Sequence, residues 1–329
     1  MSNSVSDFPA AVCPLDHQPL AAQGEELACA AGHRYPVRDG IPRLLAPESN
    51  YAEAFGAQWH HYRVTQLDSY TRTSLSRDRL RRCVGEEIWS RLSDPAERIE
   101  VLEAGCGAGR FTECLLKLPG ASVSSTDLSS AVEPNQVNCP QSPRHRIIQC
   151  DIGRFPFAPA QFDVVVCLGV VQHTQNSERT IANLYAQVKP GGWLVIDHYP
   201  RDFAHYTRLG ERLLRPLLKR LSPQRGIAVT HALTRWFFPL HRAVRHVRPA
   251  QMLLSRVSPV LTYFRAFPEL DDRLQYEWAE LDTHDSLTDW YKHVRTPRGI
   301  RAALMALGAT DLWIERGGNG IEARCRRPA

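Results

Sequence analysis

The feature that most constrains the fold is an apolar run, Val101-Leu102-Glu103-Ala104, that stops abruptly at Gly105-Cys106-Gly107-Ala108-Gly109-Arg110. Glycines at the end of a strand allow a tight turn and close approach of a ligand, and the helix that follows offers free N–H groups to an anion. The Gly-x-Gly-x-Gly spacing differs from the Gly-x-Gly-x-x-Gly of a dinucleotide-binding fingerprint. From Arg98 onward strand and helix patterns alternate. Strand-like segments are Ile99–Ala104, Ala121–Thr126, Arg146–Cys150, Phe162–Leu168 and Trp193–His198, and helical segments are Arg110–Lys117, Leu128–Gln136 and Ser177–Val188. This alternation predicts an α/β fold, a parallel sheet covered by helices on both faces. After an interruption, a helix at Pro297–Leu307 and two strands, Asp311–Glu315 and Gly320–Cys325, complete the pattern. Arg316-Gly-Gly-Asn319-Gly320 joins those strands as a tight antiparallel turn.

The chain has 329 residues, enough for about two domains at ~100–200 residues each, or one domain with large additions. The expected divisions are a β module at 1–47, a helical linker or cap at 48–97, the alternating core at 98–200, a basic helical insertion at 201–296, and a return to the core at 297–329. Hydrophobic residues make up 43% and charged residues 23%, which excludes wholesale disorder. No apolar run approaches the ~20 residues of a spanning helix. Met1 to Ala11 lacks the basic and apolar segments of a secretory leader. The nine cysteines are odd in number and several fall inside strand-like segments, so free thiols in a reducing cytoplasm are expected. Nearly all the basic residues are arginine, a bias that hints at a GC-rich bacterial genome.

The second strand ends in Thr126-Asp127-Leu128-Ser129, where an acid can accept both hydroxyls of a ribose. The third ends in Cys150-Asp151-Ile152, where an acid can accept from an exocyclic amine. The fifth is preceded by Val188-Lys189-Pro190-Gly191-Gly192. This succession, with the glycine loop at its head, resembles the class I S-adenosylmethionine-dependent methyltransferases, strongly over residues 95–200. The resemblance implies a Rossmann-like sheet of seven strands in the order 3-2-1-4-5-7-6, the last antiparallel. It also implies cofactor roles. Glu103, Gly105, Cys106, Gly107 and Gly109 would surround the methionine end, and Asp127 would take the ribose. Leu128 would pack on adenine, Asp151 and Ile152 would hold its amino edge, and Leu168 would offer backbone contacts to the methionine amino group.

A sulfonium methyl is already activated, so such an enzyme needs alignment, exclusion of water and, for a hydroxyl acceptor, a base. His173, just after strand 4, and His198 with Tyr199, at the end of strand 5, are the candidates. A second polar cluster, Asp282-Thr283-His284-Asp285 with Tyr291-Lys292-His293, reads either as a substrate lid or as a solvated loop.

Near the N-terminus, Cys13, Cys29 and His33 resemble a zinc ribbon of the kind in the small tRNA-methyltransferase activator proteins. Where that family has a second cysteine this chain has Asp16, followed by His17. Both residue types are zinc ligands, so the donor set would be Cys13, Cys29, His33 and either Asp16 or His17. The alternative is a metal-free ribbon.

From Arg201 to Val257 there are eleven arginines and one lysine against two acids. Tyr206 to Leu221 spaces leucines at helical intervals, with arginines on the opposite side. Such a block can cap an active site, lie on an anionic membrane or bind nucleic-acid phosphates. Pro216, Pro239, Pro249 and Pro259 are expected to break it into short helices. The chain therefore reads as a methyltransferase acting on a small-molecule or lipid-linked acceptor. It would be cytoplasmic, with 201–257 either capping the site alone or also touching the inner membrane face. The rival readings are an RNA methyltransferase and a cofactor-fold interaction protein without turnover.

Overall fold

The computed structural model describes residues 9–46, 51–202, 207–318 and 320–329. Within these, the chain builds one sheet. Its strands are β1 (Ala21–Gln23), β2 (Glu26–Ala28), β3 (Arg34–Arg38), β4 (Ile41–Leu44), β5 (Ile99–Ala104), β6 (Ala121–Asp127), β7 (His145–Cys150), β8 (Phe162–Cys167), β9 (Val188–His198), β10 (Thr310–Gly317) and β11 (Gly320–Arg326). The order across the sheet is β1-β2-β3-β4-β7-β6-β5-β8-β9-β11-β10, eleven strands in all. The seven-stranded expectation is therefore corrected. The N-terminal ribbon is not set apart, because β4 pairs in parallel with β7 through Arg43 opposite Gln149 and Leu44 opposite Cys150. That pairing gives β7 a neighbour on its outer side, so its ladder groups do not end as an open edge. The β10–β11 turn includes Asn319, which lies outside the described residues, as does Tyr206 at the start of the expected basic helix.

The strands β5 to β9 read as near-continuous apolar runs because both their faces are covered. Leu102, Val165 and Leu194 are fully buried beneath one face, and Val101, Leu115 and Val195 beneath the other. Burying each such side chain stabilises the fold by about 1.5–3 kcal/mol. The covering helices are α1 (Glu53–His61), α2 (Asp68–Thr71), α3 (Leu75–Ser93), α4 (Arg110–Leu116), α5 (Val132–Asn138) and α6 (Ser177–Gln187). α7 (Leu209–Leu218), α8 (Pro223–Val244), α9 (Arg248–Val257), α10 (Asp272–Thr288) and α11 (Pro297–Ala306) follow. α5 begins later than expected because Asp127 first makes a turn, its Oδ1 accepting from the Ser129 N–H at 2.9 Å.

One expectation for the insertion is corrected, and one open alternative is narrowed. Pro216 and Pro239 lie inside α7 and α8 and do not end them. Pro249 instead occupies the first turn of α9, where the missing N–H costs nothing. The segment Asp282–Asp285 is not a solvated loop but part of α10, with Thr283 and His284 fully buried. All nine cysteines are buried free thiols. Among the described residues no helix is long and apolar enough to cross a membrane.

Candidate active site

A cavity of about 550 Å3 opens at the C-terminal ends of β5, β6, β8 and β9. Its floor is the glycine loop. Gly105 has φ +80, and a Cβ built there would lie 2.3 Å from Val170, so both the backbone conformation and the space demand glycine. Asp127 locks the loop from β6, its Oδ2 accepting from the Gly107 N–H at 2.9 Å and its Oδ1 from the Ser129 hydroxyl at 2.7 Å. Burial raises the Asp127 carboxyl above its ordinary value, with these donors opposing the rise.

Of the residues assigned to the cofactor by sequence, Gly105, Cys106, Gly107, Asp127, Leu128, Ile152 and Leu168 line the cavity. Glu103, Gly109 and Asp151 are not among the lining residues. Glu103 is a brace beneath the loop, accepting from Thr112 Oγ1 at 2.6 Å and Ser125 Oγ at 2.8 Å. Burial pushes its carboxyl up to about 7. Gly109 caps α4, and Asp151 accepts from the Gly153 N–H at 2.7 Å, starting the short 3-10 turn Ile152–Arg154.

Asp197, on β9, shapes the opposite wall. Its Oδ1 accepts from the Gly169 N–H at 2.6 Å, and its Oδ2 pairs with Arg79 of α3. The loop after β8 is thus tied to the next strand and to a helix from the linker. Sequence reasoning missed Arg79 and three aromatics, Tyr51, Phe55 and Trp59, that also line the cavity. The Trp59 indole lies over Gly107, 3.0 Å from where a Cβ would sit. In sequence they fall within the expected helical linker or cap at 48–97.

Of the candidate bases, His173 and Tyr199 line the cavity and His198 does not. His198 is fully buried between the Tyr199 carbonyl (3.1 Å from Nδ1) and the Ser177 hydroxyl (3.3 Å from Nε2), and burial drives its imidazole down to about 4. Tyr199 donates to Asp285 Oδ2 at 3.3 Å. Burial first, then Asp285, holds its phenol well above the ordinary value, so it stays a proton donor. His173 has Nδ1 3.3 Å from the Tyr291 carbonyl and 3.2 Å from Asp289 Oδ2, while Nε2 lies 3.9 Å from Asp285 Oδ2. Phe55 and Tyr199 meet its ring edge-on at 5.3 Å. Burial opposes protonation of this imidazole, but Asp285 and Asp289 outweigh it and raise it above its ordinary value. With two acceptors around Nδ1, the ring proton belongs there and the Nε2 lone pair is left for chemistry.

The polar cluster of α10 and the segment after it form the far wall. Asp282, Asp285, Ser286 and Lys292 line the cavity. Burial pushes Asp282 up to about 6, and it accepts from Gln66 Nε2 at 3.2 Å and from the Trp278 indole at 3.1 Å. Lys292 is paired with Glu211 of α7.

In the ribbon, Cys13, Asp16, Cys29 and His33 converge, their ligand atoms all within 4.8 Å of one another. His33 Nδ1 is 3.0 Å from Asp16 Oδ2 and 3.4 Å from Cys29 Sγ. His17 is exposed and stands outside the cluster. Two thiols, an imidazole and a carboxylate directed at one point are a donor set that fits a tetrahedral Zn2+.

With this geometry in place, the comparisons with known proteins are decisive for one stretch of the chain. Residues 102–196 match the family described as "Methyltransferase domain". Residues 102–196 are a methyltransferase domain. The ubiquinone biosynthesis O-methyltransferase of Coxiella burnetii is 33% identical over 108 residues, which cover 32% of this chain and 46% of that one. A malonyl-[acyl-carrier protein] O-methyltransferase of Halalkalibacterium halodurans is 30% identical over 133 residues, 39% of this chain and 49% of that one. The chain thus spans about half the length of these curated relatives. Among solved structures, a SAM-dependent methyltransferase from Methanosarcina mazei aligns with a TM-score of 0.43 and 13% identity, covering 74% of this chain and 98% of that one. The methyltransferase domain holds the glycine loop, Asp127, Leu168 and His173, whereas Tyr51, Asp285 and Lys292 come from outside it.

Proposed function

We propose that the chain transfers the methyl group of S-adenosylmethionine to a hydroxyl of a small-molecule acceptor. The observation that carries this reading is that a single cavity joins the glycine loop and Asp127 to His173. The residues present suit the cofactor. A turn without side chains meets an acid at a strand end, and Leu128, Ile152 and Leu168 supply apolar walls. When bound, the cofactor supplies a sulfonium-activated methyl.

The chain's own residues would do the rest. Asp127 holds the ribose end and shapes the loop through Gly107. Asp197, by fixing Gly169, sets the wall beside the methionine end. His173, its Nδ1–H steadied by the Tyr291 carbonyl and Asp289, would take the acceptor's hydroxyl proton at Nε2 while that oxygen accepts the methyl and the sulfur–methyl bond breaks to leave the neutral thioether. General-base assistance of this kind contributes roughly 10²–10⁴-fold. Phe55, Tyr199 and the lid helices exclude water.

The test is incubation with methyl-labelled cofactor and a panel of hydroxyl-bearing acceptors. Transfer should fall by roughly 10²–10⁴-fold in His173→Ala while affinity for S-adenosylhomocysteine is kept. Equal transfer by the variant would remove His173 from the mechanism.

We propose also that the ribbon cluster of Cys13, Asp16, Cys29 and His33 binds Zn2+ as a structural ion, with Asp16 in place of a second thiolate on its knuckle. The convergence of the four ligand atoms supports this assignment.

A further inference from the structure

Helices at a protein surface normally turn their apolar side inward. α7 does the reverse. Its buried side carries Gly210, Glu211 and Leu218, while Leu209, Leu213 and Leu217 face solvent at successive turns, Leu213 73% and Leu217 65% exposed. α9 buries none of its residues, and Met252, Leu253 and Val257 are exposed, Leu253 at 69%. The two helices meet where Gly210 touches the backbone of Val257 to Pro259. A Cβ on Gly210 would lie 2.5 Å from the Val257 carbonyl oxygen. Leu209 and Val257 therefore flank one junction, and each of the two adjoining helices carries an exposed apolar row. Single exposed leucines need no explanation, but a row repeated over two adjoining helices does.

Charge says what covers this face. Arg212 and Arg220 stand exposed beside the α7 leucines, and Arg248 begins α9. Of the twelve basic residues from 201 to 257, Arg215 is paired with Asp289, and Arg242 and Arg245 with Asp272, while Arg212, Arg220 and Arg248 stand at the exposed surface of α7, α9 and their ends. Exposed arginines flanking apolar rows match the boundary between lipid tails and anionic headgroups. A second copy of so basic a face would be repelled, and single-stranded RNA is held by stacking aromatics where these rows are aliphatic.

The same helices are the wall of the cavity. Arg208 just before α7, Glu211 of α7, and Ser255 and Arg256 of α9 line it. We infer that the α7–α9 face docks on an anionic lipid bilayer and that the acceptor is an amphiphile entering the cavity from that surface. The docking half stands by itself. The acceptor half rests on the methyl-transfer reading above.

The experiment is flotation of the full chain with vesicles of phosphatidylcholine alone and of phosphatidylcholine with roughly one-third phosphatidylglycerol. Calorimetric titration with S-adenosylhomocysteine is run on the same samples, and transfer RNA is added as a competitor. The chain should float with the anionic vesicles, about tenfold less with the neutral ones. The double variant Leu213→Asp with Leu253→Asp should lose about tenfold or more of the association with unchanged S-adenosylhomocysteine affinity and unchanged circular dichroism. No association with anionic vesicles, undiminished association of the double variant, or a dimer that the double variant dissolves would each overturn the docking surface. So would capture by transfer RNA in preference to vesicles. Vesicle binding without S-adenosylhomocysteine binding would instead sink the methyl-transfer reading and leave the docking surface standing.

Discussion

Asp289 Oδ2 stands 3.2 Å from Nδ1 of His173, joining the end of α10 to the turn after β8. Asp289 is itself held by Arg215 of α7, whose Nε lies 2.7 Å from Oδ1. The candidate base therefore depends on the lid for its protonation state, even though it lies within the methyltransferase domain.

This relationship sets a pH dependence. The neutral imidazole is the active form, and the two carboxylates raise the pH at which it becomes neutral. The acid limb of kcat/KM should fall above the ordinary histidine value of about 6.5. In Asp289→Asn one of those carboxylates is gone, so the limb should move to lower pH. A limb that stays in place would separate Asp289 from the titration of His173.

Glu103 gives a stability prediction with a definite sign. Its ordinary value is 4.5 and burial raises it to about 7 in the folded chain. The folded state therefore holds the proton more tightly than the unfolded state. Stability from this group is greatest below about 4.5 and is lost as pH rises through about 7, by up to about 3 kcal/mol. Glu103→Gln cannot ionise. Its stability relative to the parent should rise between pH 4 and pH 8, measured by denaturant unfolding at each pH. A difference that does not vary with pH would contradict an ionisation at this site.

The floor of the cavity can be tested by packing alone. Gly105→Ala places a methyl 2.3 Å from Val170 at φ +80, which should cost about 2 kcal/mol and weaken S-adenosylhomocysteine binding. Adding Val170→Ala relieves the contact but not the backbone strain, so it should restore part of the stability. Failure of the second change to help would place the whole cost in the backbone.

For the ribbon, metal analysis of the purified chain should find about one zinc per chain, as expected for a four-ligand structural site. Cys29→Ser should lose it and His17→Ala should keep it. Zinc retained in Cys29→Ser would remove that thiol from the ligand set, and a parent chain without zinc would leave the cluster held by its own hydrogen bonds.

Much of the methyltransferase domain was legible in the sequence because its signals are local. A buried parallel strand is a short apolar run, and Gly105 and Asp127 announce themselves at strand ends. What was missed depends on distant packing. Nothing in Ile41-Pro42-Arg43-Leu44 says that it will pair with β7, since four residues carry too little pattern to choose a neighbour. Tyr51, Phe55 and Trp59 become cavity residues only because α1 lies over the glycine loop. Asp282 and Asp285 read either as a substrate lid or as a solvated loop because acids are usually at the surface. They are tolerated inside because Gln66, Trp278 and Tyr199 supply donors. His198, a candidate by its position at a strand end, was lost to the same packing, since its ring is enclosed by Ser177 and the Tyr199 carbonyl.

The central claim is that this cavity is a methyl-donor site, and the most direct measurement is calorimetric titration of the chain with S-adenosylhomocysteine. The account predicts one site of micromolar affinity, weakened by about tenfold or more in Asp127→Ala, which removes a charged hydrogen-bond acceptor. Absence of binding by the parent chain, or equal affinity in Asp127→Ala, would contradict it.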